Sequence, residues 1–344
     1  MCSKKNIFIA IICIVFAVCF YKIIKPKAIL PKQSNNFEYK KDNKILFEAI
    51  NGMKVEEKIS LRRPVAVVIE NHPDARPQSG LFEADVVYEA LAEGGITRFL
   101  AVFQTQSAKN FGPIRSARTY FAELSNEINS VFVHVGGNSD ALSNIQEKKY
   151  TKLTDVDQFF NDAYFHRISS RLPPHNVYSS IEKIDEFSNF HFLKKEASYS
   201  PWKFKQDLAG TSSMVSSLEI NFSLPDFKVL WVYDNVSNGY KRWLAGKSHL
   251  DKESSKQIQA KNIVVQFVKT FPVESDTPLS IGMDLKNGGD AMIFLDGKEA
   301  IATWKVLNGR TRYFLTDGHE ISLNRGSIWV ELVPDTKKLA VVWK

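Results

Sequence analysis

The sequence predicts an α/β first domain with a central mixed sheet, then a second, mostly antiparallel β domain, both behind an N-terminal membrane anchor. Three observations lead there. Short valine-rich runs alternate with helix-like segments up to about residue 200. Beyond that point strand-like runs follow one another across turn residues, with no helical pattern of useful length between them. An almost wholly apolar stretch, "NIFIAIICIVFAVCFY", lies between lysines at the N-terminus. The boundaries read as 1–24 signal anchor, 25–59 polar spacer, 60–215 α/β domain and 216–344 β-rich domain.

The apolar stretch, Asn6 to Tyr21, is shorter than the roughly 20 residues a full helical span wants, though flanking lysines can snorkel. No A-x-A-like cleavage site follows it, so it reads as an uncleaved signal anchor. Cys2, Cys13 and Cys19 all lie in or before this stretch, so no disulfide is available to the body. Val18 is bulky where a lipid-anchor signal wants a small residue before Cys19. The spacer is polar and lysine-rich, with a short helix expected over Ile45–Ile50.

The formal net charge is +7, but Lys4, Lys5, Lys22, Lys25 and Lys27 supply five units of it, leaving about +2 from residue 31 onward. A nucleic-acid binder should carry its positive field on the folded body, so nucleic acid is not an expected partner.

In the body, "PVAVVIE", Pro64 to Glu70, is a buried strand ending in a loop. "LFEADVVYEALAEGG" places Phe82, Val86, Ala90 and Leu91 at helical spacing and predicts a helix ending near Glu93. That helix would carry Asp85, Glu89 and Glu93 as one acidic stripe. "TRFLAVFQT" is a strand, "SARTYFAELSNEI" a helix, "SVFVHV" a strand and "NSDALSNIQEKK" a further helix. Glu196 to Ser217 is the expected connection. In the second half, Asp296-Gly297 and Asp317-Gly318 sit between strand-like flanks, a strong hairpin signal. Trp231, Trp243, Trp304, Trp329 and Trp343 fall on strands there, as core or as platforms for sugar rings.

Candidate site residues gather toward one edge of the first sheet. Arg115 and Arg118 stand three apart at the start of the expected helix with Ser116 between them. They suit either a bound anion or structural carboxylates. Arg98 is a third cation of the group. Glu89 or Glu93 reads either as a base in a cleft or as part of an ion-pair network. His134 ends its strand just before Gly136 and Gly137, where open α/β sheets place ligands; a histidine paired to backbone is the plain alternative. "NHPDARPQSG" adds Asn71, His72, Arg76 and Gln78, and "FHRISSRLPPHNVYSS" adds His166, Arg167, Arg171, His175 and Asn176 on a loop stiffened by prolines. The histidines are scattered and no ligand motif is present, so no metal or cofactor is expected. There is neither a G-x-S-x-G elbow nor a body cysteine, which excludes thiol catalysis there.

The segment "RRPVAVVIENHPDARPQSGLFEADVVYEALAEGGITRFLAVFQ", with "GPIRSARTYF", "VHVGGNSDAL", "PHNVY" and the tail's "GHEISLNRGSIWVELVP", closely resembles the YerB-like family of bacterial membrane lipoproteins, a two-part domain of unknown function. The family pattern matches at Asn71, His72, Arg76, Gln78, Glu89, Glu93, Arg98, Arg115, Ser116, Arg118, His134, Gly136, Gly137, Arg167, His175 and Asn176. The resemblance implies a body outside the cytoplasm, tethered to the bacterial cell membrane, and brings no assigned reaction.

The expected function is a cell-envelope protein binding an anionic glycan, peptide or peptidoglycan-related ligand at the sheet edge. Two alternatives stand beside it. One is a hydrolase in which Glu89, His134 or His175 activates water; the other is an interaction protein that regulates a cell-wall enzyme. The expected partners are accordingly a cell-wall glycan or peptide, or such an enzyme, and the membrane through the N-terminal segment.

Overall fold

Strand β1, Val65–Glu70, is buried at all six residues, which is why its sequence shows no apolar–polar alternation. The computed structural model describes residues 47–207, 215–274 and 278–344, and the expected anchor lies outside them. Among the described residues no helix is long and apolar enough to cross a membrane.

β1 pairs antiparallel with β3, Thr97–Phe103, and β3 with β2, Val86–Leu91. β2 corrects the expected helix over 81–95. Every residue of it is buried between strands on both sides, and Val-Val-Tyr favours that setting; the helical spacing was incidental. Helix α1, Thr119–Glu127, begins after Arg118, whose backbone is still extended, so Arg115 and Arg118 are not one helical turn apart. β4, Val131–His134, and β5, Thr154–Asp157, extend the sheet in parallel from β1. Helices α2, Ser139–Gln146, and α3, Ile181–Phe190, fall in this half as well. Of the helix expected over Ile45–Ile50, the first two residues lie outside the described ones, and Phe47–Glu48 is instead a strand paired with Lys54–Val55.

In the second half, β6 (Ser217–Asn221), β7 (Lys228–Asp234) and β8 (Gly239–Leu244) form an antiparallel meander. With Val341–Trp343 and two short strands it makes a six-stranded sheet. β9, Asn262–Pro272, instead joins the large sheet, followed by β10 (Gly289–Leu295), β11 (Lys298–Leu307) and β12 (Arg310–Leu315). Asp296 and Gly297, both at positive φ, make the tight turn between β10 and β11 that the Asp-Gly signal predicts. Asp317-Gly318 also turns the chain back on itself, with Leu315 N–H donating to His319 C=O at 2.8 Å and Phe314 bridging antiparallel to Glu320, before Ser322–Asn324 pairs in parallel with Lys203–Lys205.

β13, Ile328–Pro334, then inserts in parallel between β9 and β2. One mixed sheet of eleven strands therefore runs in the order β12–β11–β10–β9–β13–β2–β3–β1–β4–β5, with Ile281–Asp284 added on β9. The described residues form a compact, strand-rich unit with few helices. The smaller sheet lies against the large one through Trp231, whose ring meets Trp329 edge-on at 5.3 Å. Trp231, Trp304 and Trp329 are core residues, while Trp343 is partly exposed.

A candidate anion-binding cleft at the sheet edge

β1 and β4 are parallel, so their carboxyl ends open at one edge. The segment 113–117 threads between those ends. Pro113 C=O accepts from Glu70 N–H at 2.9 Å and Arg115 N–H donates to Val68 C=O at 2.9 Å; on the other side Val135 N–H donates to Arg115 C=O at 3.1 Å. This wedge fixes Arg115 and Ser116 at the mouth of the edge.

They line a cleft of about 470 Å³ together with Gly136, Gly137 and Arg167. Arg167 is exposed; its guanidinium donates to Asn176 Oδ1 at 2.8 Å and has no carboxylate partner among the described residues. Arg115 is half-buried, with Nε 3.1 Å from Glu70 Oε1. The cleft also takes in the rings of Phe159 and Phe160, which are 70% and 85% exposed. Asp157 lies in the wall, but its Oδ1 is engaged by the backbone N–H groups of Gly136 at 2.8 Å and Phe159 at 3.1 Å. Gly136 has a φ of +56°, and a Cβ there would meet the Phe159 ring at 2.7 Å. The space its missing side chain leaves is thus filled by Phe159. An anion entering this cleft would meet two guanidinium groups beside apolar rings.

His134, the last residue of β4, lies beneath this edge and is fully buried. Its Nδ1 is 2.8 Å from Gly136 O and its Nε2 2.6 Å from Asp155 Oδ1. Both partners are acceptors, so the arrangement suits the imidazolium. Burial opposes the charge, but the hydrogen bond and charge of Asp155, helped by Asp157 and the Gly136 carbonyl, raise the pKa above the ordinary histidine value. A raised folded-state pKa gives stability that is fully present below the unfolded value of about 6.5 and is lost as pH rises through the folded one. The melting-temperature gap between the parent and Asp155→Asn should therefore be widest near about pH 6 and narrow toward about pH 9. A gap independent of pH would refute a charged His134.

The remaining predicted residues divide among three places. Arg98 and Arg118 are buried and both clasp Glu93, Arg118 through Nε at 3.2 Å. Burial would raise the Glu93 carboxyl, but the two guanidinium groups outweigh it and hold its pKa low. Burial, and then the Arg118 charge, pushes Arg98 down to about 10. Of the three arginines expected to hold an anion, only Arg115 reaches the cleft, and Arg167 joins it there.

Asn71, Gln78 and Glu89 belong instead to a closed hydrogen-bond ring between the two sheets. Asn71 Nδ2 donates to Thr97 Oγ1 at 2.7 Å, and the Thr97 hydroxyl donates to Glu89 Oε1 at 2.7 Å. Arg242 pairs with Glu89 Oε2 and donates to His249 Nδ1 at 2.6 Å. His249 Nε2 donates to Gln78 Oε1 at 2.9 Å, and Gln78 Nε2 closes the ring on Asn71 Oδ1 at 2.9 Å. Arg76 braces it from outside, donating to Asn71 Oδ1 at 3.1 Å. Burial, then the Arg242 and Arg76 charges, holds His249 well below the usual histidine range, so it is neutral, as its acceptor role toward Arg242 requires. Beside the ring, burial and the Glu89 neighbour push Glu331 well above the carboxylate range.

The third place is the loop rim. His175 Nδ1 lies 2.9 Å from Glu70 Oε2, and its ring stacks on His72 with centroids 5.0 Å apart. Arg171 tethers the adjoining loop, donating to Ala75 O at 2.7 Å and Pro77 O at 2.6 Å. Glu70 links Arg115 to His175 and was not among the residues singled out from the sequence; its signal was an acid closing a run of buried valines. Phe159 and Phe160 were missed too, and nothing in their sequence context marks them as exposed.

Comparison with known proteins gives a consistent family. Residues 50–192 match the "Protein of unknown function (DUF3048) N-terminal domain", and residues 218–330 match its C-terminal domain. YerB of Bacillus subtilis (strain 168), named as a candidate lipoprotein, is 35% identical over 288 residues, 83% of this chain and 86% of YerB. The crystal structure of YerB from Bacillus subtilis superposes with a TM-score of 0.79 at 34% identity, covering 88% of this chain and all of that one.

Proposed function

Because the chain belongs to the DUF3048, YerB-like family, we propose that it is a membrane-tethered envelope protein that binds an anionic glycan or peptide of the peptidoglycan kind in the sheet-edge cleft. The lipoprotein name of its relative and the lysine-flanked apolar stretch support the tether and a body outside the cytoplasm. The observation that most supports the ligand is Arg167, held at the cleft by Asn176 with no carboxylate partner among the described residues, beside Arg115 and two exposed phenyl rings. An unpaired guanidinium beside apolar surface suits a carboxylate or phosphate carried on a sugar or peptide.

Binding suits the geometry better than hydrolysis. Glu89 is sealed in the inter-sheet ring and both nitrogens of His134 are engaged, which leaves His175 alone of the three candidate bases near solvent.

The test is calorimetry on the detergent-purified full chain with muropeptides carrying free carboxylates. Arg167→Ala should weaken binding about 10- to 100-fold, the worth of one charge-assisted hydrogen bond, and Arg167→Lys should recover only part of it. Equal affinities for parent and Arg167→Ala, or no binding of any anionic wall fragment, would overturn the proposal.

A further inference from the structure

We propose that His72, Asp74 and His175 form a binding site for a divalent transition-metal ion of the zinc type at the rim of the first-half sheet. His72 opens the loop after β1, and His175 comes from the loop before Val177–Tyr178; the fold brings them together across 103 positions. One ligand atom from each of the three side chains lies within 4.8 Å of the others. Donors around a tetrahedral zinc are about 3.3 Å apart, so closure asks for a shift of an ångström or so from exposed Asp74 and half-buried His72 and His175, with a turn of the two stacked rings that brings their in-plane lone pairs together. Two imidazoles with one carboxylate is a donor set suited to zinc and its neighbours, and leaves open positions on the ion.

Two further observations favour an ion. Glu70 accepts from His175 Nδ1 at 2.9 Å, which fixes the tautomer that leaves the Nε2 lone pair outward, as carboxylates do behind metal-bound histidines. Glu70 is itself held by Arg115 at 3.1 Å, so this orienting carboxylate is anchored. At His72, Nδ1 accepts a long 3.3 Å bond from Asp74 N–H while standing 3.5 Å from Asp74 Oδ2. That long bond keeps the Nδ1 lone pair on the same side as the Asp74 carboxylate, and an ion binding both would take the bond's place. Pro73 after His72, and Pro173 with Pro174 before His175, limit the backbone freedom that binding would have to freeze.

The site differs from the anion cleft in its residues and in its test. The detergent-purified full chain, stripped with chelator, is titrated with Zn²⁺ by calorimetry, and its Co²⁺ complex is examined by absorption. One ion per chain is expected. His72→Ala and His175→Ala should weaken it at least about 100-fold, and Glu70→Gln about 10- to 100-fold. Arg167→Ala should leave it unchanged, which separates this result from the cleft's. Thiolate-to-cobalt bands would assign the ion to Cys2, Cys13 or Cys19 and overturn the proposal, as would no binding by the parent. Should the histidine variants melt early, Asp74→Asn decides, because that side chain is exposed: unchanged affinity in it overturns the site.

Discussion

Replacing Arg242 by alanine should lower the unfolding free energy by about 3–5 kcal/mol, measured by denaturant titration. Arg242 is fully buried, and its guanidinium serves Glu89, His249 and three aromatic faces: Trp329 at 4.7 Å, Trp231 at 5.5 Å and Phe99 at 5.7 Å from ring centroids. Its removal strands the Glu89 carboxylate, opens the ring at two bonds and leaves a cavity between the sheets. The cost comes from breaking the pair rather than from the pair's intrinsic worth. A double variant, Arg242→Met with Glu89→Leu, should therefore lose much less than the two single losses added together. Additive losses would show that Arg242 and Glu89 act independently.

Glu93→Gln should cost a similar amount, about 3–5 kcal/mol, because it leaves Arg98 and Arg118 buried side by side without an anion. Its signature lies in acid. A carboxyl whose folded pKa is held low contributes stability above its unfolded value of about 4.3, and that stability is lost as pH falls through the folded value. The gap between parent and variant should thus shrink in acid, and a gap constant down to about pH 2 would refute the role assigned to Glu93. Arg98 also donates to Ser116 C=O at 3.3 Å, so the same variant should loosen one wall of the cleft.

The second-half strands were legible because they are half-covered and punctuated by turns: Tyr240, Arg242 and Leu244 point inward while Lys241 and Trp243 are less buried. The same alternation hid the most consequential charge. Arg242 sits at an inward position, and its partner Glu89 lies 153 residues away on another sheet, beyond the reach of any local pattern. β2 was misread for the opposite reason: a strand covered on all sides loses its period of two, and Val86, Ala90 and Leu91 can then imitate a helix. At the sheet edge, Arg115, Ser116, Gly136, Gly137 and Arg167 line one cleft and Asn176 bonds Arg167; the sequence offers the glycine pair through its place after a strand, the Arg115–Ser116 pair through an expected helix start, and Arg167 and Asn176 through a proline-stiffened loop. Asn71 and Gln78 read as neighbours of that cleft because a sequence shows which end of a strand a residue occupies and not whether a second sheet covers it, and Glu89 because its segment reads as a helix bearing an acidic stripe.

The insertion of β13 between β9 and β2 has a consequence for how the chain comes into being. Synthesis delivers the first-half strands early, yet β2 must wait for residues Ile328–Pro334 before its outer edge is paired. Until then Val86, Val87 and Tyr88 stand on an open edge of the sort that recruits strands from other chains. Contacts so distant in sequence also form slowly. The nascent protein therefore has a long adhesive interval that ends only when Ile328–Pro334 arrives. A ribosome stalled in that stretch, or a first half expressed alone, would release a molecule more inclined to aggregate than to act.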